Sequence, residues 1–295
     1  MAYQNISTPR IYLNIPEYLA STGVVIDDVF RTLPVSASAI TTFPTDFGGV
    51  TLTNPYVAIL GHSATAITLE TANVVGGGII NGDFSGTVIP GFSIAKLDVM
   101  PTVISFDSGN AGSILLGTFF EFSHSPDLNL SLSYEYGGIK ETTTKGGSTL
   151  TNAFYTKPPK WTDTLGAWEL GGTAAHAKSG RRVWDLSFSY LQDSDMFPML
   201  SSLNPYESTS ATEEVYSDNP ETNWHIGETL LDDNTFYSQV IHKTNGGQLP
   251  FIFQPDNNNN NPDGFAICKF DMDSFEFSQV ANGVYNIKLK IREVW

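Results

Sequence analysis

The chain has 295 residues, 31 Asp and Glu against 15 Lys and Arg, and a formal net charge of −16. That balance excludes electrostatic binding to nucleic acid or anionic lipid, both of which need basic surface. A single cysteine excludes an internal disulfide framework, and 26 Gly, 16 Pro and 12% aromatics with only 16% charged residues describe a turn-rich β-protein.

Met1 to Ser7 carries no basic segment followed by an apolar one, and no run of about eighteen apolar residues occurs anywhere, so neither a signal peptide nor a membrane helix is expected. Arg10 to Asn14 reads as a short strand. A helical turn follows, begun by Pro16 and ended by Gly23, the usual placement of these two residues. Val24 to Gly91 is rich in Thr, Val, Ile and Gly, with apolar runs at Tyr56–Leu60 and Ala66–Leu69. It reads as successive strands with turns at Gly76-Gly77-Gly78 and Asn81-Gly82-Asp83. Thr102–Phe106 and Ser113–Phe122 continue the pattern. Leu128, Leu130, Leu132 and Tyr134 then alternate with polar residues, which predicts a half-buried strand.

From Gly137 to Gly180, the pairs Gly137-Gly138, Gly146-Gly147, Pro158-Pro159 and Gly171-Gly172 punctuate a loop-rich region, the best place for a boundary or an extended arm. Trp184, Leu186, Phe188 and Tyr190 next alternate with Asp185, Ser187 and Ser189 as a strand. Asp193 to Thr235 is polar and acidic, and Leu231 to Ile241 predicts a short helix followed by a strand. Leu249–Gln254 and Phe265–Phe270 are strands flanking an Asn-rich polar linker, Asn257 to Asn261. Finally Tyr285, Ile287, Leu289 and Ile291 face one way, and Asn286, Lys288, Lys290 and Arg292 the other.

These elements predict an all-β fold: a β-sandwich or barrel-like set of antiparallel sheets with long loops and one or two short helices. The chain divides into an N-terminal β domain, 1–145, and a sandwich-like C-terminal domain, 146–295, with an acidic loop region around 193–235; a single intertwined domain is the alternative.

No pattern carries catalysis. Gly61-His62-Ser63 follows an apolar run, but Thr65 stands where a nucleophile elbow needs its second glycine. The tract Asp256 to Gly264 lacks the sixth-position glycine of a calcium loop and has Ile267 in place of its closing glutamate. His62, His124, His176, His225 and His242 show no zinc spacing. No enzyme activity, metal or cofactor is expected.

Charge is uneven along the chain. No Lys or Arg occurs between Arg182 and Lys243, a stretch with eleven Asp and Glu, whereas Lys288, Lys290 and Arg292 share one strand face. Complementary patches of this kind suit docking between copies, and solvated loops of uneven composition are the plainer reading. Lys288, Lys290, Arg292 and Trp295, with Arg181 and Arg182, are therefore the candidate intersubunit contacts. Trp161, Trp168 and Trp224, in polar loop surroundings, are the candidate loop interface.

Several of these segments also carry a resemblance. Gly146-Gly147, Trp161 and the run Arg181-Arg182-Val183-Trp184-Asp185-Leu186-Ser187-Phe188 resemble minor or distal (tail-tip) structural proteins of tailed bacteriophages. So do Leu249-Pro250-Phe251-Ile252-Phe253, Phe265-Ala266-Ile267-Cys268-Lys269-Phe270 and the ending Ile291-Arg292-Glu293-Val294-Trp295. The resemblance covers about Gly146–Trp295. It implies a non-enzymatic virion protein, made in the host cytoplasm, whose β-sandwich packs as a homo-oligomeric ring with other tail proteins, without a membrane and without sequence-specific nucleic acid binding. A capsid decoration protein and a carbohydrate-binding adhesin are the alternatives.

Overall fold

The computed structural model describes residues 6–21, 35–36, 39–40, 52–62, 64–72, 79–83, 88–89, 92–98, 100–101, 103–106, 110–111, 113–135, 139–153, 180–198, 234–260 and 264–294. Eleven strands form one antiparallel sheet: β1 (Arg10–Leu13), β2 (Pro55–Leu60), β3 (Val88–Ile89), β4 (Phe92–Lys96), β5 (Ser113–Glu121), β6 (Ser131–Glu135), β7 (Arg181–Gln192), β8 (Phe251–Gln254), β9 (Ala266–Phe270), β10 (Phe277–Ala281) and β11 (Val284–Glu293). Their spatial order is β6-β7-β11-β9-β8-β1-β5-β2-β4-β3, with β10 also on β11. The all-β prediction holds. Among the described residues there are three short helical segments, α1 (Ile15–Ser21), α2 (Asp193–Met196) and a π-helical turn, Phe236–His242.

Strand pairing crosses residue 145 twice. β6 pairs with β7, and β1 lies between β8 and β5, so both halves of the sequence share the sheet. The reason is β1 itself. Its inward faces are apolar on both sides, Ile11 and Leu13 in one cluster and Tyr12 in another, and only a central position buries both. A strand so placed needs partners on each edge, and distant segments supply them.

The apolar run Tyr56–Leu60 is buried throughout β2 for the same reason. Val57 and Ile59 pack under a smaller four-stranded sheet (Ala39–Ile40, Val103–Phe106, Ile67–Ala72, Ile79–Asp83), while Tyr56, Ala58 and Leu60 face the opposite side. The strand therefore shows no alternation in sequence. Asn81-Gly82-Asp83 is not a turn. It ends a strand whose residues pair with Thr68–Ala72, where the ladder hydrogen bonds override local turn chemistry. Gly76-Gly77-Gly78 lies outside the described residues.

The main core is aromatic. Phe122 stacks on Phe188 with ring centroids 4.1 Å apart, and Phe120 and Phe236 pack around them. Phe236 belongs to the π-helical turn that replaces the strand predicted to end at Ile241. Thr235 caps that turn by accepting a hydrogen bond from the Ser238 backbone N–H at 3.2 Å, and Phe236 and Val240 point into the core.

Two predicted alternations break. In β7 the register shifts between Phe188 and Leu191, and Tyr190 takes a left-handed φ of 65°. That bulge turns Tyr190 outward and lets Leu191 take the buried position. Near β6 only Ser131–Glu135 forms a strand. Leu128 is 94% exposed, because its segment precedes the strand and is held by Asp127 N–H donating to the Ser187 carbonyl at 2.8 Å.

Residues 257–260 of the Asn-rich linker clamp the ends of β5 and β8. Asn257 Nδ2 donates to Thr8 Oγ1 and to Glu121 Oε1, both at 2.7 Å, and Gln254 Nε2 donates to the Asn259 carbonyl at 3.0 Å. Glu121 also receives hydrogen bonds from Thr8 and from Arg10. Burial pushes the Glu121 carboxyl up, but the Thr8 and Arg10 hydrogen bonds and the Arg10 charge outweigh it and hold its pKa below the ordinary 4.5. A depressed folded value means this stabilisation is present above pH 4.5 and fades as pH falls through the folded value. Acid titration monitored by tryptophan fluorescence should therefore destabilise the native chain more than Glu121→Gln, and equal acid sensitivity would contradict this account.

Candidate functional site

The candidate basic contacts fall on two sides of the sheet. In the β7–β11 register Arg182 shares the inner face with Trp184 and Leu186, and Glu293 shares it with Ile291. Arg182 is buried and bonds Glu293 twice over, Nε to Oε2 and a terminal nitrogen to Oε1, each at 3.0 Å. Its backbone N–H also donates to Glu293 at 3.0 Å, a terminal guanidinium nitrogen donates to the Phe265 carbonyl at 2.8 Å, and its guanidinium lies over the Trp184 ring. Burial works against the Arg182 charge, but Glu293 more than offsets it and raises the guanidinium pKa. Arg182 is thus an internal residue, which removes it from the intersubunit candidates. Arg181 is half-buried in register with Glu135.

The outer face is a cross-strand ladder of alternating sign. Lys290 bridges Asp271 at 2.9 Å and Arg292 bridges Glu135 at 2.7 Å. The predicted basic stripe is therefore largely neutralised within the chain by acids that sequence spacing does not bring near it. Surface pairs of this kind contribute about 0–1 kcal/mol each. Lys288 is exposed and, with Asn129, Asp185, Ser187, Met272 and Lys290, lines a shallow depression of about 310 Å³. Trp295, Trp161, Trp168 and Trp224 lie outside the described residues, as does the acidic stretch beyond Pro198.

No catalytic arrangement emerges at the residues described. His62 is buried with Nε2 2.8 Å from Ser93 Oγ, His124 Nε2 lies 2.8 Å from the Ser189 carbonyl, and Ser63 is outside the described residues. His242 Nε2 sits 3.0 Å from the Tyr18 hydroxyl, and burial, then the Lys243 charge, lower its pKa. Among the described residues no three His, Cys, Asp or Glu are grouped to hold a metal ion, and no helix is long and apolar enough to cross a membrane.

The features that sequence reasoning missed lie at one end of the sheet. β6 is its terminal strand, and among the described residues nothing pairs with its outer edge. Just beyond it a hairpin, Ile139–Thr143 with Thr149–Ala153, forms a two-stranded sheet of its own, turning through Gly147 at φ 81°. From Glu141 to Thr151 every residue except Thr144 is exposed. Exposed large apolar side chains occur along these segments: Leu128 before β6, Tyr134 (54% exposed) in it, Leu150 (60% exposed) in the hairpin and Tyr190 (75% exposed) on β7. The only signal in the sequence was the Gly146-Gly147 turn within a Thr-rich stretch, which marked an arm without saying that it leaves the core. Compared with known protein families, curated proteins and solved structures, the chain matches none.

Proposed function

We propose that this chain is a non-enzymatic structural protein of a tailed-phage virion, assembling as a homo-oligomeric ring at the tail or tail tip alongside other virion proteins. The observation that carries the assembly role is the hairpin arm 139–153, exposed from Glu141 to Thr151 apart from Thr144. A two-stranded hairpin is at best marginally stable in water, so one that pairs with no other strand among the described residues is suited to lie on a neighbour. The virion assignment rests on the sequence resemblance of Gly146–Trp295 to tail proteins. Ring contacts are heterologous, one patch meeting a different patch on the next copy, and an exposed hairpin that forms its own small sheet fits that geometry.

Replacing residues 140–152 with a short Gly-Ser loop tests the role. The variant is expected to keep the wild-type circular dichroism and melting temperature and to lose the ring in native mass spectrometry. Rings of unchanged stoichiometry, or a wild-type chain that stays monomeric at all concentrations, would refute it. Immunogold labelling of virions separates a tail position from a capsid surface.

A carbohydrate-binding module is the second reading, favoured by Tyr190. A bulge and a left-handed backbone hold this aromatic outward, where its ring offers a stacking face. It predicts glycan binding by the monomer that Tyr190→Ala abolishes.

A further inference from the structure

We infer that the outer edge of β6 is a two-fold contact, pairing antiparallel with β6 of a second copy about Ser133. Among the described residues no strand pairs with this edge, and its own sequence carries none of the usual protections of a terminal strand. Ser131-Leu132-Ser133-Tyr134-Glu135 has no Pro, no Lys and no bulge, and its single charge, Glu135, is already engaged by Arg292. An unprotected edge offers a row of backbone donors and acceptors to another strand.

The occupant follows from the register. Centred on Ser133, the pairing sets Leu132 against the partner's Tyr134 and Tyr134 against the partner's Leu132. Four apolar side chains then share one face, and the two partly exposed residues of each copy cover each other. On the other face Ser133 meets its symmetry mate, and Ser131, whose hydroxyl donates to Asp185 of its own chain at 3.4 Å, stands opposite Glu135. No like charges stand opposed, in a chain whose net charge of −16 makes random self-contact repulsive. A self-complementary patch of this kind is what an isologous interface requires. The contact is separate from the arm and does not depend on the virion reading. Combined with a closed ring, it would join two rings face to face.

Single cysteines test it on the full chain, since the native Cys268 is buried. Ser133→Cys is expected to form a covalent dimer under mild oxidation, because the two positions face each other at disulfide range. Ser131→Cys is expected not to, because its two copies stand about 13 Å apart, four strand residues along the pair. No cross-linking at 133, or equal cross-linking at both positions, overturns the proposal, and so does a strand of another protein occupying the edge while the isolated chain stays monomeric. A second pair of variants guards against a folding defect. Ser133→Lys and Ser133→Glu should each weaken self-association at least tenfold, and an equimolar mixture should restore it in sedimentation velocity. A mixture that stays as weak as its components also overturns the proposal.

Discussion

Glu293→Ala is expected to cost about 3–5 kcal/mol of stability, the range for removing one partner of a buried ion pair. The loss is large because Glu293 accepts three hydrogen bonds from Arg182, two from the side chain and one from the backbone, at a site where Glu293 is 2% exposed. Without it a guanidinium remains buried beside Trp184, Phe265 and Cys268, stripped of its carboxylate partner although it still donates to the Phe265 carbonyl. Arg182→Met together with Glu293→Leu should recover most of that loss, since replacing both charges removes the desolvation cost along with the attraction. Urea unfolding followed by tryptophan fluorescence checks both. If the single variant matches the wild type, the pair is not the lock described here. If the double variant is worse than the single, the pair contributes more than its own charges.

Gly117→Ala is the second large effect, expected to destabilise by on the order of 3 kcal/mol through overpacking against backbone. Gly117 lies in β5 where the chain leaving β1 crosses it. An added Cβ would overlap the Leu13 carbonyl oxygen and sit 2.8 Å from Ile15 Cγ1. A flexible side chain could swing aside, but a carbonyl held in the sheet cannot. The Tyr56 hydroxyl donates to the same Leu13 carbonyl at 3.0 Å, so displacing it also disturbs a buried hydrogen bond. Gly147→Ala is the matched control: nothing lies within 4 Å of its Cβ position, and only its positive φ resists the change. Equal melting temperatures for Gly117→Ala and wild type would show that the Leu13 carbonyl and Ile15 do not pack directly against Gly117.

Period-two patterning was legible wherever one face of a strand is buried and the other is not. β11 follows its alternation from Tyr285 to Ile291 without a break. β7 follows it as far as Phe188, and the bulge that reverses Tyr190 leaves no local signature, because an aromatic at that position continues the apolar pattern. The stretch Phe236–His242 is rich in aromatic and β-branched residues and reads as a strand. The Thr235 cap and the burial of Phe236 and Val240 one turn apart decide for a helical turn instead. The charge pattern was legible in composition but not in consequence. Arg182 and Glu293 are 111 residues apart, and strand order alone brings them together. The same holds for the ladder on the outer face, which ties two of the apparent docking cations, Lys290 and Arg292, to acids of the same chain. Trp161, Trp168, Trp224 and Trp295 remain sequence-level candidates, being outside the described residues.

The central position of β1 has a consequence for how the chain is made. Its edges pair with residues 119–121 and 251–254, so one of its ladders must wait until more than two hundred further residues have been synthesised. At typical elongation rates that interval is on the order of ten to fifty seconds. Throughout it the β1 edge that later receives Phe251–Gln254 lacks that partner. The nascent N-terminal half is thus a sticky intermediate with an unfinished seam. Its yield in cells should depend on chaperone supply and on synthesis speed more than on the stability of the finished protein.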